Sequence, residues 1–388
     1  MTERTVYDYA IVGAGVSGLT LAWLLAESPL RDRSILLIDG VRDDDELRTL
    51  SFWTTEPTAL DPIVAHRWRT LRFHDGTEAC DLPLGEHTYQ TLYFADLQRE
   101  TKKRLGASRR NRVIDGRLET LQQDGEGATL VVAGETLRAR WVFDSRFRRR
   151  DLEVDLRRHH SMNQHFHGWI VRSTRDVFEP AVATWLDFRA DTTPGTGFFY
   201  VLPISPREAL VELVTLAPVA AEPQMRDYLS RAFGLDDAEL LAEEAGVSPM
   251  TEQPFRWHEG ARVRRIGIAA GMLKPSSGYA LTRIVDDCTA IVASLVRDEH
   301  PLVPPRTSWL YRALDAILLE VWSATPDAIP AVFSALLRRN PIDRVLRFLD
   351  ERATLVEILS VGIALPKRTF VVALGRWLAR RLGVDDFP

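Results

Sequence analysis

Two features of this chain combine residue type and spacing in a way that points to chemistry. The first is Gly13, Gly15 and Gly18, a G-x-G-x-x-G set that follows the apolar residues 9–12 and opens a helical pattern through residue 25. Glycines at this spacing let the chain turn tightly out of a strand, let backbone N–H groups approach a pyrophosphate, and let the next helix pack close to the sheet. The helix N-terminus then offers the anion unpaired N–H groups and the positive end of its dipole. Residues 34–38 read as a second buried strand ending in Asp39, 21 positions beyond Gly18, where an acid holds a ribose hydroxyl. Strand, glycines, helix, strand and acid in that order predict a dinucleotide site. Its place at the start of the sequence favours a resident flavin over a diffusing nicotinamide.

The second feature is Glu212, the acid inside the apolar run Ala209-Leu210-Val211-Glu212-Leu213-Val214. Strand alternation puts it on one face with Leu210 and Val214. An acid on an apolar face is either paired with a base, here Arg207 or Arg189, or kept as a site acid whose pKa burial has raised. Other candidates carry less. His159, His160, His165 and His167 are close in sequence, but no carboxylate or cysteine stands at a ligand spacing. Structural or substrate-facing histidines are therefore expected and a metal site is not. No G-x-S-x-G elbow supports acyl hydrolysis.

These groups need a frame. Residues 48–53, starting at Arg48, read as an extended aromatic segment beside the cofactor. Residues 68–73, 78–82 and 89–94 read as short strands, and a helix begins with Asp96 as its N-cap. Four alternating segments between about 112 and 143 predict a small antiparallel sheet that closes on Asp144, where the chain returns to the first sheet. Residues 41–46 read as a polar loop and Pro194-Gly195 as a turn. Strand-like alternation resumes in 166–171, 184–188, 197–202 and 209–215, the substrate layer, with helices at 225–233 and 237–244 beneath it. A small-residue strand over 264–271, a loop from Met272 to Tyr279 and a helix over 280–298 predict a second cup for the cofactor, around Gly271, Pro275, Gly278 and Tyr279. From 307 onward the pattern is helical. It ends in a basic amphipathic helix over 367–382 with the composition of an interfacial helix.

The chain has 388 residues, 45% hydrophobic and 27% charged, with a net charge of −5, and so reads as an ordinary globular protein of two joined domains. The charge gives no reason to expect nucleic acid. Cys80 and Cys288 match no metal or redox spacing and suit a reducing cytoplasm. No signal peptide is read at the start, and no apolar run approaches the ~20 residues of a spanning helix.

Several strings resemble the bacterial lycopene β-cyclase family. They include Gln164-His165-Phe166-His167-Gly168-Trp169, Thr184-Trp185-Leu186-Asp187-Phe188-Arg189, and Phe199-Tyr200-Val201-Leu202-Pro203-Ile204-Ser205-Pro206. Ala209-Leu210-Val211-Glu212 and Pro275-Ser276-Ser277-Gly278-Tyr279 belong with them, and 48–53 and 244–250 look like two further family segments. The likeness runs from the first strand to about residue 297. It implies an α/β flavoprotein of aromatic-hydroxylase type: a Rossmann-type FAD-binding sheet, an antiparallel substrate sheet and a C-terminal helical region. The implied division is 1–50, 95–150 and 260–300 for the FAD domain, 51–94 and 151–259 for the substrate domain, and 301–388 for the helices.

The resemblance also implies a redox-neutral use of FAD, kept reduced by NADPH or NADH. An acid protonates the terminal double bond of a linear polyene, an internal double bond closes a six-membered ring, and a proton leaves. By resemblance Glu212 is that acid. Plant members carry a second acid at the next position, here Leu213, and many members carry one where this chain has Ile170. Around the polyene, Trp169, Trp185, Phe199, Tyr200 and His165 are expected, the aromatic faces adding roughly 0.5–2 kcal/mol each to a cation. FAD contacts are expected from Gly13, Gly15, Gly18, Asp39, Arg48, Asp144, Gly271, Pro275, Gly278 and Tyr279. By its composition, the helix over 367–382 would either meet the inner face of the cell membrane or pack as a surface helix of the protein. A flavin monooxygenase, a polyprenyl reductase, a cyclase of another isoprenoid and a carotenoid carrier stay open as alternatives.

Overall fold

The computed structural model describes residues 6–40, 47–147, 152–189, 196–305 and 308–382. The polar loop expected at 41–46 and the turn at Pro194-Gly195 lie outside the described residues.

Val6–Val12, apolar almost throughout, is the central strand of an eight-stranded sheet. It pairs in parallel with Glu135–Asp144 on one side and Ile35–Asp39 on the other. Parallel strands are covered on both faces, which is why all five residues of Ile35–Asp39 are buried. The helix Val16–Glu27 crosses between the first two strands and packs against Phe94–Gly106 and Leu281–Asp298. Ala128–Val132 and Leu118–Gln123 extend the sheet as an antiparallel flap.

A second sheet has seven strands, in the order Glu239–Met250, Met162–Arg172, Glu208–Thr215, Gly197–Pro203, Val182–Asp187, Thr70–His74, Ala79–Pro83. Its pairs are antiparallel except Val182–Asp187 with Thr70–His74. One face packs on the helix Ala221–Phe233 through Trp169, Phe199, Val211, Leu213 and Tyr228. The other joins Trp53 and Tyr89 of a three-stranded sheet, and Leu319, Trp322 and Leu336 of the C-terminal helices, in one core. Every side chain on a strand must face one layer or the other, so this sheet sorts its residues by parity.

The mixed α/β architecture agrees with the reading from sequence, but several local expectations are corrected. Residues 237–244 are not a helix; they open the edge strand Glu239–Met250. The Ala, Leu and Glu content favours a helix, yet pairing with all of Met162–Arg172 overrides it. The single strand expected at 68–73 breaks at Arg69. Val64–Trp68 stays in the three-stranded sheet and Thr70–His74 crosses to the seven-stranded one. Arg112–Asp115 joins the parallel sheet beside Ile35–Asp39 rather than the antiparallel flap. Asp96 is not an N-cap: the helix starts at Phe94, which leaves Asp96 in the first turn, paired with Arg99 at 2.6 Å. The strand at 264–271 shrinks to Val263–Arg265, and a short 3-10 turn, Gly267–Ala270, replaces its second half. Among the described residues no single helix is long and apolar enough to cross a membrane.

Candidate active site

A cavity of about 900 Å³ lies between the two sheets. At one end Gly13, Gly15, Val16, Ser17, Asp39 and Arg48 line it; at the other Gln164, Phe166, Tyr200, Glu212, Gly278 and Tyr279 do. One space therefore joins the glycine loop to the acid.

The glycine end is built from backbone. Gly13 has φ +97°, a conformation open to glycine, and donates its N–H to the Ile38 carbonyl at 2.8 Å. The Ser145 hydroxyl donates to the carbonyls of Val12 (2.9 Å) and Gly13 (3.0 Å), pinning the loop. A Cβ on Gly18 would stand 2.0 Å from the Gly13 oxygen, so the helix packs on the loop only because that Cβ is absent. No side chain caps the helix N-terminus that faces the cavity, and no acid occupies its first turn. That leaves N–H donors and positive potential for an anion. Asp39 stands at the end of its strand, 3.3 Å from the Lys102 ammonium. A cradle with open donors and an acid at the ribose position fits a dinucleotide.

The acid end is built from side chains. Glu212 makes no hydrogen bond or ion pair among the described residues. Arg207 and Arg189, its possible partners by sequence, bind Asp176 (2.6 Å) and Asp187 (2.5 Å) instead. Its carboxyl borders the cavity and is otherwise enclosed by protein. Burial pushes its pKa up to about 8, and the nearby Glu244 carboxylate adds to the rise. It therefore holds its proton at neutral pH. Glu244, on the edge strand two strands away, is 7% exposed; Thr49 donates to it twice, from its backbone N–H (2.8 Å) and its hydroxyl (2.5 Å).

Behind the cavity the Tyr279 hydroxyl sits among the hydroxyls of Tyr89 (3.2 Å) and Tyr200 (3.3 Å) and accepts from the Trp185 indole at 2.9 Å. Trp53 packs edge-on against Tyr279, ring centroids 4.5 Å apart, and donates to Asp350 at 2.7 Å. Burial raises the Asp350 carboxyl to about 7 against the pull of that bond. The loop bearing Tyr279 is tied down by Lys274, which bridges Asp315 (2.8 Å) and Glu351 (3.0 Å), with Arg283 on Glu351 at 2.6 Å.

Not every candidate residue reaches the cavity. Trp169 and Phe199 face the opposite side of the sheet: Trp169 packs under Arg226, and Phe199 stacks on Tyr228 at 3.8 Å. His165 shares their parity, since Gln164, Phe166 and Gly168 face the other way. The expectation that these three touch substrate is corrected by the alternation that places Glu212. Trp185 stands behind Tyr279 and does not border the cavity. Asp144 is closed by Arg146 at 2.8 Å, and Gly271 abuts Phe255; neither these two nor Pro275 lines the space. His160 lies buried between Glu252 and Glu320, bonding the latter at 2.8 Å, so it ties the C-terminal helices to the body.

Sequence reasoning missed Glu244 and Thr49. Both lie within segments that carried a family likeness, and that was the available signal.

A model described as lycopene cyclase protein matches residues 8–375. A lycopene beta-cyclase of Pantoea ananas is 26% identical over 291 residues, 71% of this chain and 71% of that protein. Among solved structures, a flavin-dependent brominase superposes with a TM-score of 0.60 at 16% identity, covering 92% of this chain and 98% of its own. A p-nitrophenol 4-monooxygenase of Pseudomonas putida gives 0.57 at 15%, covering 95% and 99%. These likenesses show the fold, that of aromatic-hydroxylase-type flavoproteins.

Proposed function

The chain belongs to the lycopene cyclase family, and from that premise we propose that it closes a six-membered ring at the end of a linear polyene, lycopene, with Glu212 as the acid. The observation that carries this reading is a carboxyl without a partner among the described residues, on the wall of the cavity that reaches the glycine cradle, where burial raises its pKa. Protonating an alkene needs a strong acid in a poorly solvated place, and the resulting cation needs shelter from water. Phe166, Leu202, Leu210 and Val214 supply apolar walls, and Tyr200 and Tyr279 supply ring faces and hydroxyls.

The residues that would hold FAD are Gly13, Gly15 and the N–H groups of Val16 and Ser17 for its pyrophosphate, Asp39 for a ribose, and Arg48, Gly278 and Tyr279 further along the cavity. Bound there and kept reduced by NADPH or NADH, the flavin would supply negative charge that favours a cation in the cavity. Glu212 gives its proton to the terminal double bond, the cavity wall holds the chain folded, and a ring proton is then lost. The product has the mass of the substrate.

Delivery of so apolar a substrate points to a membrane surface. The helix Leu355–Ala364 leaves Leu355, Val356, Leu359 and Ile363 each more than 65% exposed. Lys367–Leu382, bent 114° from it, exposes Val371, Leu374, Leu378 and Leu382 beside Lys367, Arg368 and Arg381. Apolar residues framed by cations suit an anionic lipid surface, which supports docking on the inner face of the cell membrane as part of this reading.

The test is conversion of lycopene by the purified holoprotein under reducing, anaerobic conditions, with wild type and Glu212→Gln compared by chromatography and mass. Wild type should give a cyclised product of unchanged mass. Glu212→Gln should keep its flavin and lose at least about 100-fold in rate. A product heavier by oxygen or by hydrogen refutes the reading.

A further inference from the structure

Glu212 is not alone on its face. In the seven-stranded sheet Gly168 pairs with Glu212 on one side and with Glu244 on the other, and Glu212 pairs in turn with Tyr200. Directly opposed residues of antiparallel strands share a face, so the two acids point the same way, two strand spacings or about 10 Å apart at the backbone. Between them stands a residue with no side chain. A Cβ on Gly168 would fall 2.9 Å from Glu244 Cγ and 3.1 Å from its Oε1, so the Glu244 side chain already leans over the glycine toward Glu212.

The two carboxyls are held differently. Glu244 accepts from a backbone N–H that cannot do anything but donate, and from the hydroxyl of the same residue, Thr49. The Arg48 charge adds to this, opposing the burial that pushes its pKa up. Glu212 has no such donors among the described residues. Where two acids share a low-dielectric region, they do not both ionise, and the one with donors takes the charge.

Resting on the cyclase reading, the geometry points to Glu244 as a positioning residue: the fixed carboxylate across Gly168 that keeps Glu212 in its acid form and drives the departing ring proton back to it. Each step balances. The Glu212 O–H proton and the terminal π electrons form a C–H bond. The internal double bond supplies the electrons of the new C–C bond. The electrons of a neighbouring C–H bond then re-form a double bond, and that proton returns to the Glu212 carboxylate. Two anions across Gly168 make the ionised intermediate state of Glu212 costly, so the same carboxyl is donor and acceptor. No second acid at position 213 or 170 is required. Leu213 faces the opposite side of the sheet, away from the cavity.

The other titratable groups around Glu212 are Tyr200, Tyr89 and Tyr279 from three different elements. Burial pushes all three well above the ordinary tyrosine range, so they stay neutral across the assay.

The experiment is the pH–rate profile of lycopene cyclisation by the holoprotein, for wild type, Glu244→Gln and Thr49→Val, with bound flavin measured spectroscopically in each. Wild-type rate should fall as pH rises through about 8. In Glu244→Gln the repulsion is gone, so the fall should move down by about one pH unit or more, with flavin retained. Thr49→Val removes one donor and keeps the N–H, so it should alter the inflection less than Glu244→Gln while holding flavin. It also serves if Glu244→Gln does not fold. An inflection that stays at the wild-type pH in the folded variants, whatever the loss of rate, overturns the role of Glu244. A wild-type protein that leaves lycopene unchanged at every pH overturns the cyclase reading itself.

Discussion

Two groups of buried carboxylates in this molecule are built on opposite principles. Asp315 and Glu351, on the C-terminal helical region, meet Lys274 and Arg283, and Ser276 donates to Asp315 at 2.7 Å. Every charge there has its countercharge, and the result is a clamp on the loop that carries Tyr279. Glu212 borders the cavity, is otherwise enclosed by protein, and has no countercharge among the described residues. The first arrangement uses charge to fix a loop; the second leaves a carboxyl on the cavity wall whose pKa burial raises. Burial alone does not separate structure from chemistry. What separates them is whether the buried acid has been given a cation.

The comparison is tested most severely at Lys274. Lys274→Met keeps the length of the side chain and leaves Asp315 and Glu351 without their shared ammonium. Breaking a buried pair from one side costs about 3–5 kcal/mol, because the remaining charge stays in low dielectric. The urea midpoint should fall accordingly, and bound flavin should be lost as the loop of Gly278 and Tyr279 loosens. A destabilisation below about 1 kcal/mol would mean that the clamp is ornamental.

The opposite sign is expected at the other acid. The folded protein holds the Glu212 proton more tightly than the unfolded chain, so the stability this group contributes is present at low pH and lost as pH rises through about 8. Glutamine has no proton to lose. Glu212→Gln should therefore match wild type in thermal stability at pH 5 and exceed it at pH 9. The gain is on the order of 2 kcal/mol, since each tenfold displacement of the proton equilibrium is worth about 1.4 kcal/mol and cavity water screens part of it. Equal melting at both pH values would show that Glu212 ionises freely.

What was legible in the sequence was what depends on neighbours in the chain. Gly13, Gly15, Gly18 and Asp39 lie within one strand–helix–strand unit, so their places in the fold follow from local spacing, and the side of the sheet that Glu212 faces followed from the alternation of a single strand. Glu244 was hidden because its own segment, rich in Ala, Leu and Glu, reads as a helix. Only pairing along the whole of Met162–Arg172 makes it a strand and sets it opposite Gly168. The clamp was out of reach for a similar reason: Lys274 and Glu351 are 77 positions apart, and nothing local joins them. Trp169 and Phe199 are a different lesson. The parity that places Glu212 on the cavity side also sends both rings to the back, once Gly168 and Tyr200 are known to share its row.

The two faces of the seven-stranded sheet give the smallest and cleanest effect. Phe199 lies flat on Tyr228, with rings parallel within 2°, and the Tyr228 hydroxyl donates to Asp187 at 2.7 Å. Nothing in this stack borders the cavity, although its neighbour Tyr200 does. Phe199→Leu removes the ring and keeps an apolar side chain, so it should cost about 0.5–1.5 kcal/mol for the lost stacking beyond area burial. The strand keeps its register, Tyr200 and Glu212 keep their places, and the turnover rate should stay within twofold of wild type. If Phe199→Leu instead lowers cyclisation as much as it lowers stability, the back layer positions the acid, and the separation between a supporting face and a reacting face fails at that residue.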